Sequence, residues 1–167
     1  MENGTFEPYE AGLISRFCSP GAVFVDVGAN YGFFACLARQ AGAYVIAIEP
    51  VQSNLEILYR NFAVNGWNDI EVLPLGLAAQ PGISTIYGAG TAASMVQRWA
   101  GASETWKSTI ALSTLDIVLS DRFAGEPLLI KIDVEGLELQ VLEGAVKTLA
   151  RNPAPVWLVE IVLTEHH

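Results

Sequence analysis

The first residues that could do chemistry are a carboxylate and two glycines at the end of an apolar run. The segment Val23–Gly32 reads VFVDVGANYG, so Asp26 precedes Gly28 by two residues and Gly32 closes the segment. Glycine has no Cβ and lets the backbone turn tightly and approach a ligand closely. A helix that follows directs its free N–H groups towards the same place. The pattern predicts a buried strand that turns sharply into a helix, with a ligand site at the turn.

The charges around this turn narrow the choice of ligand. Asp26 would repel a pyrophosphate and attract an ammonium, and Asn30 stands where a dinucleotide fingerprint needs its middle glycine. Glu49 ends the next apolar run about twenty residues further on, where an acidic side chain accepts the hydroxyls of a ribose. An ammonium-bearing amino acid joined to a nucleoside describes S-adenosylmethionine (SAM). Since each carboxylate alone is also typical of a helix cap, the prediction of SAM depends on the combination.

A second group of ionisable residues alternates along a later apolar run. Lys131 lies inside this run, and Asp133 and Glu135 follow at its end. A buried ammonium needs a partner, so we favour a structural ion pair for Lys131, with Asp133 as one candidate. Asp133 is also the first candidate for a catalytic base and Glu135 the second, although both are typical of carboxylates at a helix N-terminus. Glu160 should end a further strand on the same rim. A metal such as Mg²⁺ shared by Asp133 and Glu160 is an alternative, since oxygen ligands suit it, but the favoured interpretation has no metal site.

Two motifs resemble those of a known family. DVGANYG followed by AIEP is similar to the opening of the FkbM-type methyltransferases, a branch of the class I SAM-dependent enzymes. The run LLIKIDVEGLELQVLEGA, residues 128–145, resembles the most distinctive segment of that family. Leu115-Asp116 and Val159–Ile161 also fall in the family's order, so the resemblance extends from about Glu7 to Ile161. It implies a Rossmann-like fold, SAM as cofactor and O-methylation of a small molecule such as a sugar or a polyketide.

The resemblance also places the adenine-lining turn of the family at Gly76-Leu77. The family usually has an acidic residue where this chain has Ala79. Together with the first turn and Glu49, the residues expected to bind the cofactor are Asp26, Gly28, Ala29, Asn30, Tyr31, Gly32, Glu49, Gly76 and Leu77.

Strands and helices alternate along the chain, which predicts an α/β fold with a mainly parallel sheet and helices on both faces. The strand order should be 3-2-1-4-5, with the ligand at the carboxyl ends of strands one and four. The superfamily normally adds two strands after the fifth. This sequence ends before them, so we expect a sheet without the last two strands and with an exposed edge. The five predicted strands are Val23–Val27, Tyr44–Glu49, Ile70–Leu75, Leu128–Asp133 and Val156–Ile161.

Several local signals predict where the helices begin. Ser53 followed by Glu56 is typical of a capping box, and Asp116 is expected to cap a helix that begins at Ser113. A later helix begins near Gly136 and should bury the apolar side chains of Leu139, Leu142, Val146 and Leu149.

The segment between residues 80 and 112 is irregular. Ile83–Tyr87 and Thr109–Leu112 read as two short strands that could form an antiparallel pair. Residues 87–108 between them are rich in Gly, Ala and Ser, and we interpret them as a mobile substrate lid, with plain disorder as the alternative.

Composition limits the partners. The chain has 167 residues, 51% of them hydrophobic, which predicts a single domain over residues 1–167 with a lead-in at 1–20. Its formal net charge of −9 argues against nucleic acid and against an anionic membrane, so we expect a small neutral or cationic acceptor with a hydroxyl group. The sequence shows no signal peptide and no apolar run long enough to span a bilayer, which favours a cytoplasmic protein. The oligomeric state stays open.

Two other functions remain compatible with these motifs. A nicotinamide-dependent oxidoreductase has a similar fold, but Asp26 and Asn30 argue against it. A non-catalytic SAM-binding or scaffold module is the other alternative, because we expect the sheet to lack the last two strands that the superfamily normally has. The absence of an Asn/Asp-Pro-Pro-aromatic motif argues against methylation of a base or an amide nitrogen.

Overall fold

The chain folds as alternating strands and helices, described here from a computed structural model for residues 7–88, 90, 93–96 and 106–161. In chain order the elements are α1 (Pro8–Phe17), β1 (Val23–Val27), α2 (Phe33–Gln40), β2 (Tyr44–Ile48), α3 (Gln52–Val64), β3 (Glu71–Leu73), β4 (Gly76–Leu77), β5 (Gly82–Tyr87), β6 (Lys107–Ser113), α4 (Leu115–Leu119), β7 (Leu128–Ile132), α5 (Glu138–Glu143), α6 (Val146–Leu149) and β8 (Val156–Val159).

The central sheet has five parallel strands in the order β3-β2-β1-β7-β8. This confirms the predicted order 3-2-1-4-5 and the predicted fold class. The chain leaves β1 towards β2 on one side and returns to β7 on the other, so the carboxyl ends of β1 and β7 form the topological switch point at which such sheets bind ligands. In the register of these two strands Asp26 lies opposite Lys131.

Both faces of the sheet are covered, which explains why its inner strands are almost continuously apolar. On one face α1, α2 and α3 pack on Phe24, Val45 and Leu129. On the other face α4 and α5 pack on Val25 and Ile130. The alternation of side chains along β1 therefore sends Asp26 towards the same face as Phe24, where α2 lies.

A second sheet of three strands lies in the order β4-β6-β5. The antiparallel pairing of β5 with β6 agrees with the two short strands expected there. The interpretation of Gly76-Leu77 as a turn is wrong, because these residues form β4, which pairs in parallel with β6. Gly76 fits closely there, since a Cβ on it would lie 2.9 Å from Cδ2 of Leu112.

Two predicted helix caps are wrong. The N-cap residue of α3 is Val51 and Ser53 lies inside the helix, because the carboxylate of Glu49 accepts the Val51 N–H at 2.8 Å and replaces the capping box. The N-cap residue of α4 is Thr114, whose hydroxyl accepts the N–H of Ile117. Asp116 accepts hydrogen bonds from the N–H groups of Lys147 and Thr148 instead, and so ties α4 to α6.

The predicted buried face of the last helical segment is also wrong. The helix is interrupted at Gly144, whose absent Cβ lets the carbonyl of Ala78 approach. The interruption rotates the two short helices so that Val141, Ala145 and Thr148 are buried. Of the side chains expected to be buried, Leu142 is partly buried, whereas Leu139, Val146 and Leu149 are exposed.

Much of the expected lid lies outside the described residues, which omit 89, 91, 92 and 97–105. Within the part of the chain that the structure describes, no helix is long and apolar enough to cross a lipid bilayer.

Gly28 allows β1 and β7 to end close together. Its φ is +83°, and a Cβ at this position would lie 1.9 Å from the backbone oxygen of Asp133. The N–H of Asp133 donates in turn to the carbonyl of Val27 at 3.0 Å. The sequence analysis assigned Gly28 to the approach of a ligand. The structure shows that the close approach of the backbone at Asp133 also requires a glycine at this position.

We expect Gly28→Ala to lower the free energy of unfolding by roughly 2–5 kcal/mol, because it adds a backbone clash to the strain of a positive φ. Gly125→Ala is the matched control, since Gly125 has the same φ of +83° and nothing within 4 Å of an added Cβ. The control should cost only the backbone strain, about 1–2 kcal/mol. Equal losses in urea unfolding of the two variants would contradict the close approach at Gly28.

Candidate active site

A cleft opens at the carboxyl ends of β1, β2 and β7, with a volume of about 620 Å³ that includes the part open to solvent. It lies at the switch point of the sheet, where α/β proteins bind nucleotides. We call Gly90 and residues 93–96 the strap. The strap reaches over the cleft from the second sheet, and its residues in the cleft wall are Gly90, Ala93, Ser94 and Met95. The predicted site residues that line the cleft are Gly28, Asn30, Glu49, Gly76, Leu77, Asp133 and Glu135.

Four predicted cofactor residues do not line this cleft. Asp26 and Ala29 are buried behind it. Gly32 is the N-cap residue of α2, with φ +83°, and packs against Phe62. Tyr31 is 36% exposed, and its carbonyl accepts a hydrogen bond from Asn61. These residues shape the turn around the cleft.

Glu49 is buried at the edge of the cleft and holds two segments in place. One of its carboxylate oxygens accepts the N–H of Asn30 and the other accepts the N–H of Val51, both at 2.8 Å. The side chain of Asn54 donates to the second oxygen at 3.3 Å. Burial raises the pKa of Glu49, and these hydrogen bonds act in the opposite direction. One carboxylate thus organises both the turn at residues 28–32, called the Gly-rich turn below, and the start of α3.

Two polar residues of the cleft were missed by the sequence analysis. Asn54 is 2% exposed, and its amino group also donates to the carbonyl of Gly90 at 3.2 Å. Ser94 is equally buried, and its hydroxyl donates to the carbonyl of Glu135 at 2.7 Å. A polar side chain next to the apolar stripe of α3 was a usable signal for Asn54. Ser94 belongs to a Gly/Ala/Ser-rich segment in which no pattern distinguishes it.

The ion pair expected for Lys131 is present. Its Nζ lies 2.8 Å from Oδ2 of Asp133 and 4.8 Å from the centre of the Phe34 ring, and the side chain is 3% exposed. Burial by itself would lower the pKa of Lys131, but the charges of Asp26 and Asp133 outweigh it and the pKa is raised. Lys131 therefore keeps its charge inside the sheet.

Asp26 is the carboxylate whose environment is least favourable to its charge. It is 1% exposed, and neither of its oxygens accepts a hydrogen bond of good geometry among the described residues, although the backbone N–H of Ala35 is close enough to oppose the rise of its pKa. Burial raises its pKa to about 6, although the charge of Lys131 acts against this rise. The charge of Asp26 and that of Lys131 therefore compensate each other in part behind the cleft.

The two candidate bases differ in their surroundings. Asp133 is partly exposed at the cleft and is oriented by Lys131. Glu135 has a left-handed φ of 55°, and its carbonyl is held by the strap. The carboxylate at the start of the following helix is that of Glu138, which accepts the N–H of Gly136 at 3.0 Å. Glu160 follows β8 on the same edge, and among the described residues no group of three potential ligands could hold a metal ion.

A parallel sheet in this order, with a cleft at its switch point, is the architecture that the sequence resemblance implied. The chain belongs to the FkbM methyltransferase family, since the family model of the methyltransferase FkbM domain matches residues 26–167. No curated protein sequence matches the chain significantly.

Among solved structures, the chain is similar to an rRNA methylase from Streptococcus thermophilus, with a TM-score of 0.52 and 13% sequence identity. The similarity covers 86% of this chain and 62% of that chain, so this chain spans less than two thirds of its length. At this identity the similarity shows a shared fold.

The pKa of Asp26 predicts a specific pH dependence of stability. The unfolded chain releases this proton near pH 3.8 and the folded chain only near 6, so the folded state loses stability as the pH rises between these values. Relative to Asp26→Asn, the wild type should lose up to about 3 kcal/mol of unfolding free energy between about pH 4 and about pH 7.

Chemical denaturation of both proteins across this range measures the difference. Asp69→Asn is the control, because Asp69 is exposed and paired with Arg39, which lowers its pKa. For this control the sign is reversed: the wild type should gain unfolding free energy relative to Asp69→Asn as the pH rises. A wild type that gains stability relative to Asp26→Asn with rising pH would contradict the unpaired, buried state of Asp26.

Proposed function

We propose that this chain is a SAM-dependent methyltransferase that methylates a hydroxyl group of a small molecule. The observation that carries the proposal is that Glu49 and Asp133 line opposite sides of one cleft. Glu49 follows β2 and Asp133 follows β7, so the two carboxylates flank the Gly-rich turn after β1. The Glu49 side of the cleft suits a ribose, and the Asp133 side suits the hydroxyl group that reacts.

The residues present fit SAM. Glu49 is positioned to accept a ribose hydroxyl, and β4 supplies an apolar wall beside the nucleoside through Gly76 and Leu77. The carboxylates that line the cleft, those of Glu49, Asp133 and Glu135, favour a ligand with an ammonium and a sulfonium. Buried acceptor atoms without partners, Oδ1 of Asn30 and Oδ1 of Asn54, remain at the wall for donors of a ligand.

When bound, SAM supplies an electrophilic methyl group. The task of the chain is then to align an acceptor oxygen behind that methyl, at roughly 3–3.5 Å, and to accept the hydroxyl proton. Asp133 is suited to both tasks, because Lys131 binds its Oδ2 and leaves Oδ1 without a partner among the described residues. Lys131 thus acts as a positioning residue that fixes the direction of the base.

Charge supports a small acceptor. The net charge is −9, and Asp133, Glu135 and Glu160 follow strands at the same edge. A polyanionic acceptor such as the RNA named for the Streptococcus thermophilus methylase would be repelled by this edge. A sugar, a polyketide or another hydroxylated metabolite is compatible with it.

A SAM-dependent screen of hydroxylated metabolites, read by a mass increase of one methyl group, tests this function. Calorimetric titration with SAM and with NAD distinguishes the methyltransferase from a nicotinamide-dependent enzyme. Binding of SAM without turnover on a broad panel would favour a non-catalytic module instead.

Glu49→Gln should weaken SAM binding by about 1–3 kcal/mol, because it removes a charge-assisted acceptor for the ribose. Glutamine keeps the size of the side chain, but only one of the N–H groups of Asn30 and Val51 retains an acceptor oxygen, so thermal melting must first show that the variant is folded. Glu56→Gln, on the exposed side of α3, is the control and should bind SAM like the wild type. Unchanged affinity in a folded Glu49→Gln protein would exclude Glu49 from the ribose site.

Asp133→Asn should reduce kcat by roughly 10²–10⁴-fold, the usual contribution of a general base, while SAM affinity stays within a few-fold. A residue that only pairs with Lys131 would instead cost roughly 3–5 kcal/mol of stability on removal of its charge. Single-turnover kinetics and thermal melting separate the two roles. Loss of kcat in Glu160→Gln with a fully active Asp133→Asn would place the base at Glu160.

A further inference from the structure

The remaining hydrogen-bonding capacity of Glu49 is small. A carboxylate has about four lone-pair sites, and Glu49 already accepts the N–H groups of Asn30 and Val51 and the amino group of Asn54. About one site is left, on the oxygen that faces Asn30. A ribose presents two neighbouring hydroxyl groups. A second protein acceptor is therefore needed if the protein is to bind both hydroxyl groups.

Asn54 provides that acceptor. It is 2% exposed, lines the cleft beside Glu49, and its Oδ1 is buried without a hydrogen-bond partner. Its orientation is set by the network, because the amino group faces two acceptors, Oε1 of Glu49 at 3.3 Å and the carbonyl of Gly90 at 3.2 Å. A flipped amide would place its oxygen against both of these acceptors. Oδ1 is therefore a buried acceptor that no donor among the described residues satisfies.

We propose that Asn54 and Glu49 bind the ribose together, each accepting one hydroxyl. This inference rests on the proposed SAM site and assigns half of its ribose recognition to a residue outside the Gly-rich turn. Since the same amide holds Gly90, the ribose contact also joins the strap to the nucleoside. Removal of Asn54 is thus expected to change which hydroxyl the protein recognises, in addition to weakening the attachment of the strap.

The experiment uses adenosine, 2′-deoxyadenosine and 3′-deoxyadenosine as probes, with affinities measured by calorimetric competition against S-adenosylhomocysteine. The wild type should bind each deoxynucleoside about tenfold more weakly than adenosine. Asn54→Ala should bind adenosine about tenfold more weakly than the wild type does. In this variant one of the two deoxynucleosides should bind as well as adenosine, while the other keeps its penalty. Asn65→Ala is the control, since Asn65 is an exposed asparagine at the end of the same helix.

A purely structural role for Asn54, through Gly90 alone, would weaken all three nucleosides equally and leave both deoxy penalties in place, which would overturn the proposal. Unchanged adenosine binding by a folded Asn54→Ala protein would also overturn it. Failure of the wild type to bind S-adenosylhomocysteine at all would be a different result, because it would remove the proposed SAM site itself.

Discussion

The structure depends on compensating one buried charge. Lys131 lies near the carboxyl end of β7, in a sheet covered by helices on both faces, and its side chain is 3% exposed. Such a charge is tolerated only beside carboxylates. Asp133 supplies one at the end of the same strand, and Asp26 lies opposite Lys131 on β1. The Lys131–Asp133 ion pair lies on β7 and its carboxyl end, and Asp26 faces Lys131 from β1, so three charges gather where these two strands form the switch point. Of the two carboxylates, Asp133 lines the cleft and Asp26 lies behind it.

The same region carries other unfavourable features. Asp26 is buried, and burial raises its pKa to about 6, so it carries its charge at neutral pH in an unfavourable environment. Asn30 and Glu135, on two sides of the cleft, both have left-handed φ angles, 52° and 55°. Conformations and charges of this kind persist where the surrounding structure enforces them, and they concentrate at functional sites. Their position around one cleft, in a member of a methyltransferase family, is consistent with a binding site maintained at some expense of stability.

Much of the fold could be predicted from the sequence because it depends on local, repeated signals. Apolar β-branched runs marked the five parallel strands, and their alternation with helices determined the order of the sheet. The errors arose where tertiary contacts outweigh local propensity. Glu49 replaces the capping box at Ser53, and Gly144 breaks the last helix because the Ala78 carbonyl must approach it.

The cleft was predictable to the extent that its residues follow strands. The carboxylates and glycines at strand ends could be located from their position after apolar runs. The position of Asn54 beside the apolar stripe of α3 was a usable signal, but its contact with Gly90 was not predictable, because the second sheet brings the strap over the cleft from far along the chain. Ser94 could not be located for the same reason. Gly28 was located correctly but for an incomplete reason, since its backbone also meets that of Asp133.

The most direct test of the central claim is a crystal structure of the protein with S-adenosylhomocysteine. We predict that the ligand occupies the cleft between the ends of β2 and β7, with its ribose hydroxyls within about 3.2 Å of side-chain oxygens at the Glu49 side. Its sulfur should lie on the Asp133 side of the Gly-rich turn. A ligand bound elsewhere, or bound in the cleft with its ribose remote from Glu49, would contradict the account.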